Sequence, residues 1–215
     1  YSMFIAGVIF SALGISLITK AGLGTSPITS LAFVLTFIFP HSLGEFTMLV
    51  NTVMFLIQAA LLGKAFGKVQ LLQLPAALLF SACIDGWMYI LGFWKTGSYV
   101  GQVLMLLLGC VFLGLGIAFE VIPNVLILPG EGLVRVIAGL TGWRFGLVKT
   151  GFDMSIVASA VGVSLFFTGH VLGIREGTVL AALIVGSISH FFIEKVSNVL
   201  EGWIPDYSDA GDACP

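Results

Sequence analysis

Apolar residues run in long blocks along this chain, each ended by a short cluster of turn-forming or charged residues. Blocks of roughly 20 residues fit α-helices that cross the ~30 Å hydrocarbon core of a bilayer. The pattern predicts full spans over Met3 to Thr19, Gly44 to Leu62, Leu71 to Leu91, Val103 to Ile122, Gly146 to Thr168 and Thr178 to Val196. The first is broken only by small residues, Gly7, Ser11, Ala12, Gly14 and Ser16. Their spacings of three and four let membrane helices approach closely, so one face is expected to be buried against protein. No charged leader or small-residue cleavage pattern precedes this run, which is expected to be a span and not a signal peptide.

Two further apolar stretches are too short to cross. Lys20-Ala-Gly-Leu-Gly-Thr-Ser-Pro-Ile-Thr29 leads into an apolar run that stops at Pro40. Gly22 and Gly24 permit turn conformations, Ser26 suits a helix N-cap and Pro27 a first helical position. The helix that follows has about 13 residues and is near 20 Å long, which favours a re-entrant or half-spanning element over a short tilted span. The stretch from Gly130 to about Leu140 has the same character. Gly63 to Lys68 reads as a basic turn, Gly92 to Gly101 as a midpoint linker, and the acidic segment from 201 to 215 as a solvated, flexible tail.

The blocks repeat. A shift of 102 residues lays Gly7 on Gly109, Phe10 on Phe112, Leu13-Gly14-Ile15 on Leu115-Gly116-Ile117, Pro27 on Pro129, Gly44 on Gly146 and Asn51 on Asp153. A shift of 105 then lays Ala76-Ala77-Leu78 on Ala181-Ala182-Leu183, and Asp85 on His190. The fold class expected is an all-α, polytopic membrane helix bundle of two internal repeats, 1–94 and 95–200. Each repeat has three spans and one short re-entrant or broken helix. Three crossings per half would invert the repeats relative to one another, whereas four would leave them parallel. With re-entrant helices, Lys64, Lys68, Arg144, Lys149 and Lys195 share one side against Lys20, Lys95 and Arg175. This favours a topology with both termini cytoplasmic.

Composition agrees with the class. Of 215 residues 58% are hydrophobic and 9% charged, with a mean hydropathy of +1.10, against about 25% charged in soluble domains. The net charge of −2 gives no basic excess for nucleic acid. Cys83, Cys110 and Cys214 share no metal-ligand or CxxC spacing, and no catalytic, metal or phosphate-loop motif is present. An enzyme is therefore not expected, and neither is a cofactor.

Charge inside such sequence needs a partner or a role. The residues from Asn124 to Asp153 hold Glu131, Arg135, Arg144, Lys149 and Asp153. The starts of two broken helices can present unpaired N–H groups and a positive dipole end to a polar or anionic group. The candidate substrate-binding residues are therefore Thr25, Ser26, Pro27 and Thr29 at one helix start and Pro129, Gly130 and Glu131 at the other, together with Asn51, Arg135 and Asp153. Local alternatives stand beside this: Ser26 and Glu131 can cap their own helices, and Glu131–Arg135 and Lys149–Asp153 can pair across one helical turn. Asp85, Glu120 and His190 are candidates for proton coupling, with ordinary hydrogen bonding in the bundle as the alternative.

The motifs AGLGTSPITSL, LPGEGLVRVIAGLTGWRFGLVKTGFD and GIREGTVLAALIVGSISHFF resemble the YczE/YitT-type family of small bacterial integral membrane proteins, and the similarity covers nearly the whole chain except the acidic tail. Members similar in the second motif often carry a further Gly where this chain has Val125 to Leu128, so this loop is more apolar. The resemblance implies an envelope location and a transport role, without a substrate. The function expected is a small bacterial secondary transporter or exporter of a small polar or amphipathic solute, in the inner membrane. A different class, an accessory or sensory membrane protein binding a partner or lipid, is the alternative. Expected partners are the lipid bilayer and a small-molecule solute, with a homo-oligomer compatible with the small-residue faces.

Overall fold

Eight α-helices account for most of the described chain in a computed structural model that describes residues 1–94, 97–123 and 126–201. They are α1 (Ser2–Lys20), α2 (Ser30–Ile38), α3 (Leu43–Leu62), α4 (Gln73–Ile90), α5 (Tyr99–Val121), α6 (Pro129–Thr141), α7 (Phe145–Thr168) and α8 (Glu176–Glu201). Short 3-10 turns lie at Pro27–Thr29, Gly63–Ala65, Lys68–Leu72 and Leu91–Phe93. Six helices are long and apolar enough to cross a membrane, counting Val69–Phe93 as one span. The other two, α2 and α6, fall short. The predicted span boundaries hold to within about five residues, and the acidic tail beyond Glu201 lies outside the described residues.

The centre of the bundle is α1: 61% of its apolar window is buried, against 11% for α7 and for α8. Its small residues explain why. A Cβ at Gly14 would press on the Leu113 backbone and lie 2.7 Å from Gly109 O, and one at Gly7 would lie 2.9 Å from Gly116 O. The two helices therefore run antiparallel with their backbones in contact, the arrangement that small residues permit in lipid, where association rests on packing and not on hydrophobic expulsion. Val8, Ile15 and Ile18 of α1 and Leu106 and Leu113 of α5 fill the core around this crossing.

The other packing follows from it. Helices α5 and α8 run parallel, because Gly177 approaches Leu106 and Gly114 approaches Ile188. Helices α3 and α4 form an antiparallel pair, with Gly44 against Ser81 and Asp85. Short helix α6 packs on α3 and α7, and short helix α2 on α3 and α7. The chain leaves α6 through Gly142 and α7 through Gly169, both with left-handed backbone.

Candidate functional site

The turn after α1 is fixed by contacts with a segment more than 150 residues away. Gly24 has a φ of +122°, open only to glycine at low cost, and a Cβ there would run into Thr178 Oγ1. Thr25 N donates to Thr178 Oγ1 at 3.1 Å, Gly177 N donates to Leu23 O at 2.8 Å, and Arg175 Nη1 donates to Gly22 O at 3.0 Å. The Gly-rich loop and the Arg-Glu-Gly-Thr start of α8 are thus two halves of one joint.

This joint aims the first short helix inward. Ser26 occupies the N-cap position and Pro27 the first helical position, as the sequence predicts. The Ser26 hydroxyl, however, bonds not to a backbone N–H but to Thr29 Oγ1 at 2.9 Å. Thr25 Oγ1 lies 3.1 Å from Thr29 Oγ1 and 2.8 Å from Thr19 Oγ1, so the four hydroxyls form one buried cluster. Their hydrogen-bonding capacity is largely taken up within the protein, which makes Thr25, Ser26 and Thr29 holders of the helix start. In the second short helix Pro129 is again the first helical position, and Leu128, not Glu131, is the N-cap.

The starts of the two short helices meet. A Cβ at Gly130 would lie 2.6 Å from Ile28 Cδ1 and 3.4 Å from Met54 Sδ. Glu120, 3% exposed, packs against Gly7 and accepts a hydrogen bond from Ser11 Oγ at 2.7 Å. This bond ties α5 to α1.

Other predicted residues lie elsewhere. Asp85 does not approach His190: its carboxylate accepts from Ser42 Oγ at 2.6 Å and Gly44 N at 2.7 Å, while His190 is exposed and lies 3.6 Å from Glu194. Asp85 therefore closes the start of α3, where Ser42 and Glu45 also form a reciprocal capping box. Asp153 pairs with Lys149 at 3.0 Å on its own helix, and Asn51 Nδ2 donates to Thr47 O at 2.9 Å, also on its own helix. The role of Asp85 gives a direct prediction. Hydrogen bonds to a charged acceptor are worth about 1.5–3 kcal/mol, so Asp85→Ala should destabilise by ~3 kcal/mol and Asp85→Asn by clearly less. Thermal melts of the two variants in detergent check this; equal losses would point away from a cap.

A cavity of ≈ 280 Å³ opens one helical turn beyond the meeting point. Its wall includes Gln58 of α3, Gln70 and Gln73 at the start of α4, and Gly132 and Arg135 of α6. The carboxamide oxygens of Gln58, Gln70 and Gln73 are buried without a hydrogen-bond partner, and Gln58 and Gln73 are only 2% and 5% exposed. Each such group costs about 1–3 kcal/mol, and all three glutamines lie around the turn between α3 and α4. Arg135 is the sequence-predicted site residue in this wall. The glutamines were missed because a single amide in an apolar span carries no charge signal; three of them bracketing the α3–α4 turn were the available clue.

Six long apolar helices around a glycine-packed core define a multi-pass helical membrane protein. The chain belongs to the family described as "Family of unknown function (DUF6198)", whose model matches residues 1–194. It is 27% identical over 216 residues to "Uncharacterized membrane protein YczE" of Bacillus subtilis (strain 168), covering 100% of this chain and 95% of that relative. It is 28% identical over 200 residues to "Uncharacterized protein YyaS" of the same organism, covering 91% and 93%. The YczE resemblance carried by the motifs is thus borne out. No solved structure matches.

Proposed function

We propose that this protein is a small secondary transporter or exporter of a polar solute in the bacterial inner membrane, working by alternating access between two inverted repeats. The observation that carries the reading is the contact of Ile28 with Gly130, where two prolyl helix starts from opposite halves meet. Broken helices at a repeat interface are the usual frame for a solute site at mid-membrane. The pairing of elements supports an inversion. Under the 102-residue correspondence, Gly7 meets Gly116 and Gly14 meets Gly109, the exchange expected of a two-fold relation. In the same way α3 packs on α6 as α7 packs on α2. In this reading α2 and α6 are re-entrant from opposite sides, and no catalytic step is assigned.

A second reading, an accessory protein that binds a partner, is favoured by one asymmetry. Gly44 is packed against Ser81 and Asp85, whereas its counterpart Gly146 faces open space, as do Gly151, Gly162 and Gly186.

Cysteine labelling separates the two. In a background with Cys83, Cys110 and Cys214 replaced by Ser, Lys20→Cys and His41→Cys should react with an impermeant maleimide from the same side. Ile28→Cys should react slowly from both sides, in cells and in inverted vesicles. Reaction of Lys20→Cys and His41→Cys from opposite sides would overturn the re-entrant reading, and access to Ile28→Cys from one side or neither would overturn alternation.

A further inference from the structure

The shift of 102 residues lays Gly24 and Thr25 on Leu126 and Ile127, and the shift of 105 lays Gln70 and Gln73 on Arg175 and Thr178. The joint between the Gly-rich loop and the start of α8 therefore has a counterpart, the space between Leu126 and Ile127 and the start of α4. That space is the cavity of ≈ 280 Å³, whose wall includes Val69, Gln70, Gln73, Leu126 and Ile127. One place is closed and the other is not. In the joint Leu23, Thr25 and Thr178 are at most 2% exposed, and the bonds from Thr25, Gly177 and Arg175 cross it. Beside the cavity Val69 is 64% exposed and Leu126 and Ile127 are half-buried. Among the described residues no hydrogen bond joins those two to residues 69–73. The two places also lie at opposite ends of the bundle. Ser16, late in α1, donates to Ile84 O, late in α4, at 3.4 Å, so both helices end on the side of the joint. The start of α4 lies about 16 Å further along its axis, at 1.5 Å per residue.

We propose that these two places are alternating gates: the joint is the gate closed at rest on the Lys20 side, and the cavity is the opening of a second gate that shuts when Leu126 and Ile127 move onto the start of α4 as the joint parts. Two inverted repeats reach the opposite-facing state by exchanging the conformations of their halves, so a contact closed in one half marks where the other half closes. The preference at rest follows from Gly24. Its missing Cβ is the room taken by Thr178 Oγ1, whereas Leu126 brings a full side chain to the matching place. The second gate therefore closes less tightly than the first, and the state with the joint shut is the more populated one. The inference deepens the transporter reading and rests on its inverted repeats.

Labelling rates in the full chain, in the cysteine-free background, read both gates. Thr25→Cys, in the joint, should react slowly with an impermeant maleimide from the side that labels Lys20→Cys, and Ile127→Cys, in the cavity wall, should react faster from the opposite side. Arg175→Ala/Thr178→Val removes two bonds that close the joint, while Leu126→Gly gives the second gate the room that Gly24 gives the first. Either change should speed Thr25→Cys, by roughly tenfold for the double variant, since two ordinary hydrogen bonds are lost. With all three substitutions in one chain, Ile127→Cys should slow about twofold or more, as the population moves past its midpoint. The opposite signs separate coupled gates from local loosening, which would speed only the cysteine beside the change. Leu126→Gly alone serves if the joint variant does not fold: it touches no bond of the joint, yet it should still speed Thr25→Cys at the far end of the bundle. Faster Thr25→Cys without slower Ile127→Cys in the combined chain would overturn the proposal, as would faster reaction of both or no change in either. Two-sided labelling of Ile28→Cys without the paired change would keep alternation and discard these gates; the paired change with one-sided labelling would keep the gates and discard passage of a solute.

Discussion

Gly14→Leu should abolish the fold, whereas Gly151→Leu should be close to neutral. The first glycine lies where α1 and α5 touch backbone to backbone: its Cβ would press on the Leu113 backbone and lie 2.7 Å from Gly109 O. No rotamer relieves such a clash, because the obstacle is main chain and not the end of a flexible side chain. The helices would have to separate, and with them the most buried part of the molecule, around Val8, Ile15 and Ile18. Overpacking in a core costs about 1–3 kcal/mol when side chains can yield, so a loss above ~3 kcal/mol is expected here. Gly116→Leu, which meets Ser11 and Gly7 O from the other helix, should fail in the same way. A Cβ at Gly151 meets nothing within 4 Å. Yield from membranes and detergent Tm read the contrast; a Gly14→Leu protein that melts like Gly151→Leu would refute the backbone contact.

Gly24→Ala should displace the start of the first short helix without separating α1 from α5. The residue holds a φ of +122°, and its missing Cβ is the room occupied by Thr178 Oγ1. A non-glycine residue in that backbone region costs of order 1–3 kcal/mol, and relieving the clash would break the bond from Thr25 N to Thr178 Oγ1. Cross-linking is the local readout. In the cysteine-free background, Ile28→Cys/Gly130→Cys should join readily, and adding Gly24→Ala should lower that yield several-fold. A pair across the α1–α5 crossing, Ser11→Cys/Gly116→Cys, should keep its yield. Thr178→Val retains the shape of the joint and loses only the acceptor, so its effect should be smaller. Equal cross-linking with and without Gly24→Ala would mean that the helix start is positioned by something other than this joint.

The joint also shows how the motifs relate. The loop that begins AGLGTSP and the stretch GIREGT looked in the sequence like separate features of two halves, one opening a short helix and the other opening the last span. In three dimensions they are one structure, held by bonds between residues separated by 153 positions, Thr25 to Thr178 and Gly22 to Arg175. The demand for Gly24 comes from Thr178, and neither residue explains itself alone.

The amino-acid sequence by itself determined the class, the spans and the shortness of α2 and α6. Those properties are local: apolar length sets what can cross, and Pro27, Pro129, Gly142 and Gly169 set where helices start and stop through their own backbone geometry. It also singled out Glu120 and Arg135, because a charge in apolar sequence is conspicuous without knowledge of its surroundings. Tertiary structure alone decided what those groups meet. Asp85 and His190 align under the 105-residue shift, yet one closes the start of α3 and the other is exposed, because α4 packs against α3 at Gly44 while α7 leaves Gly146 open. Gln58 and Gln73 meet beside Gly132 only because the antiparallel register of α3 and α4 brings them to the same side of it. A neutral amide gives no pattern along the chain, and its burial without a partner exists only once distant helices have packed around it.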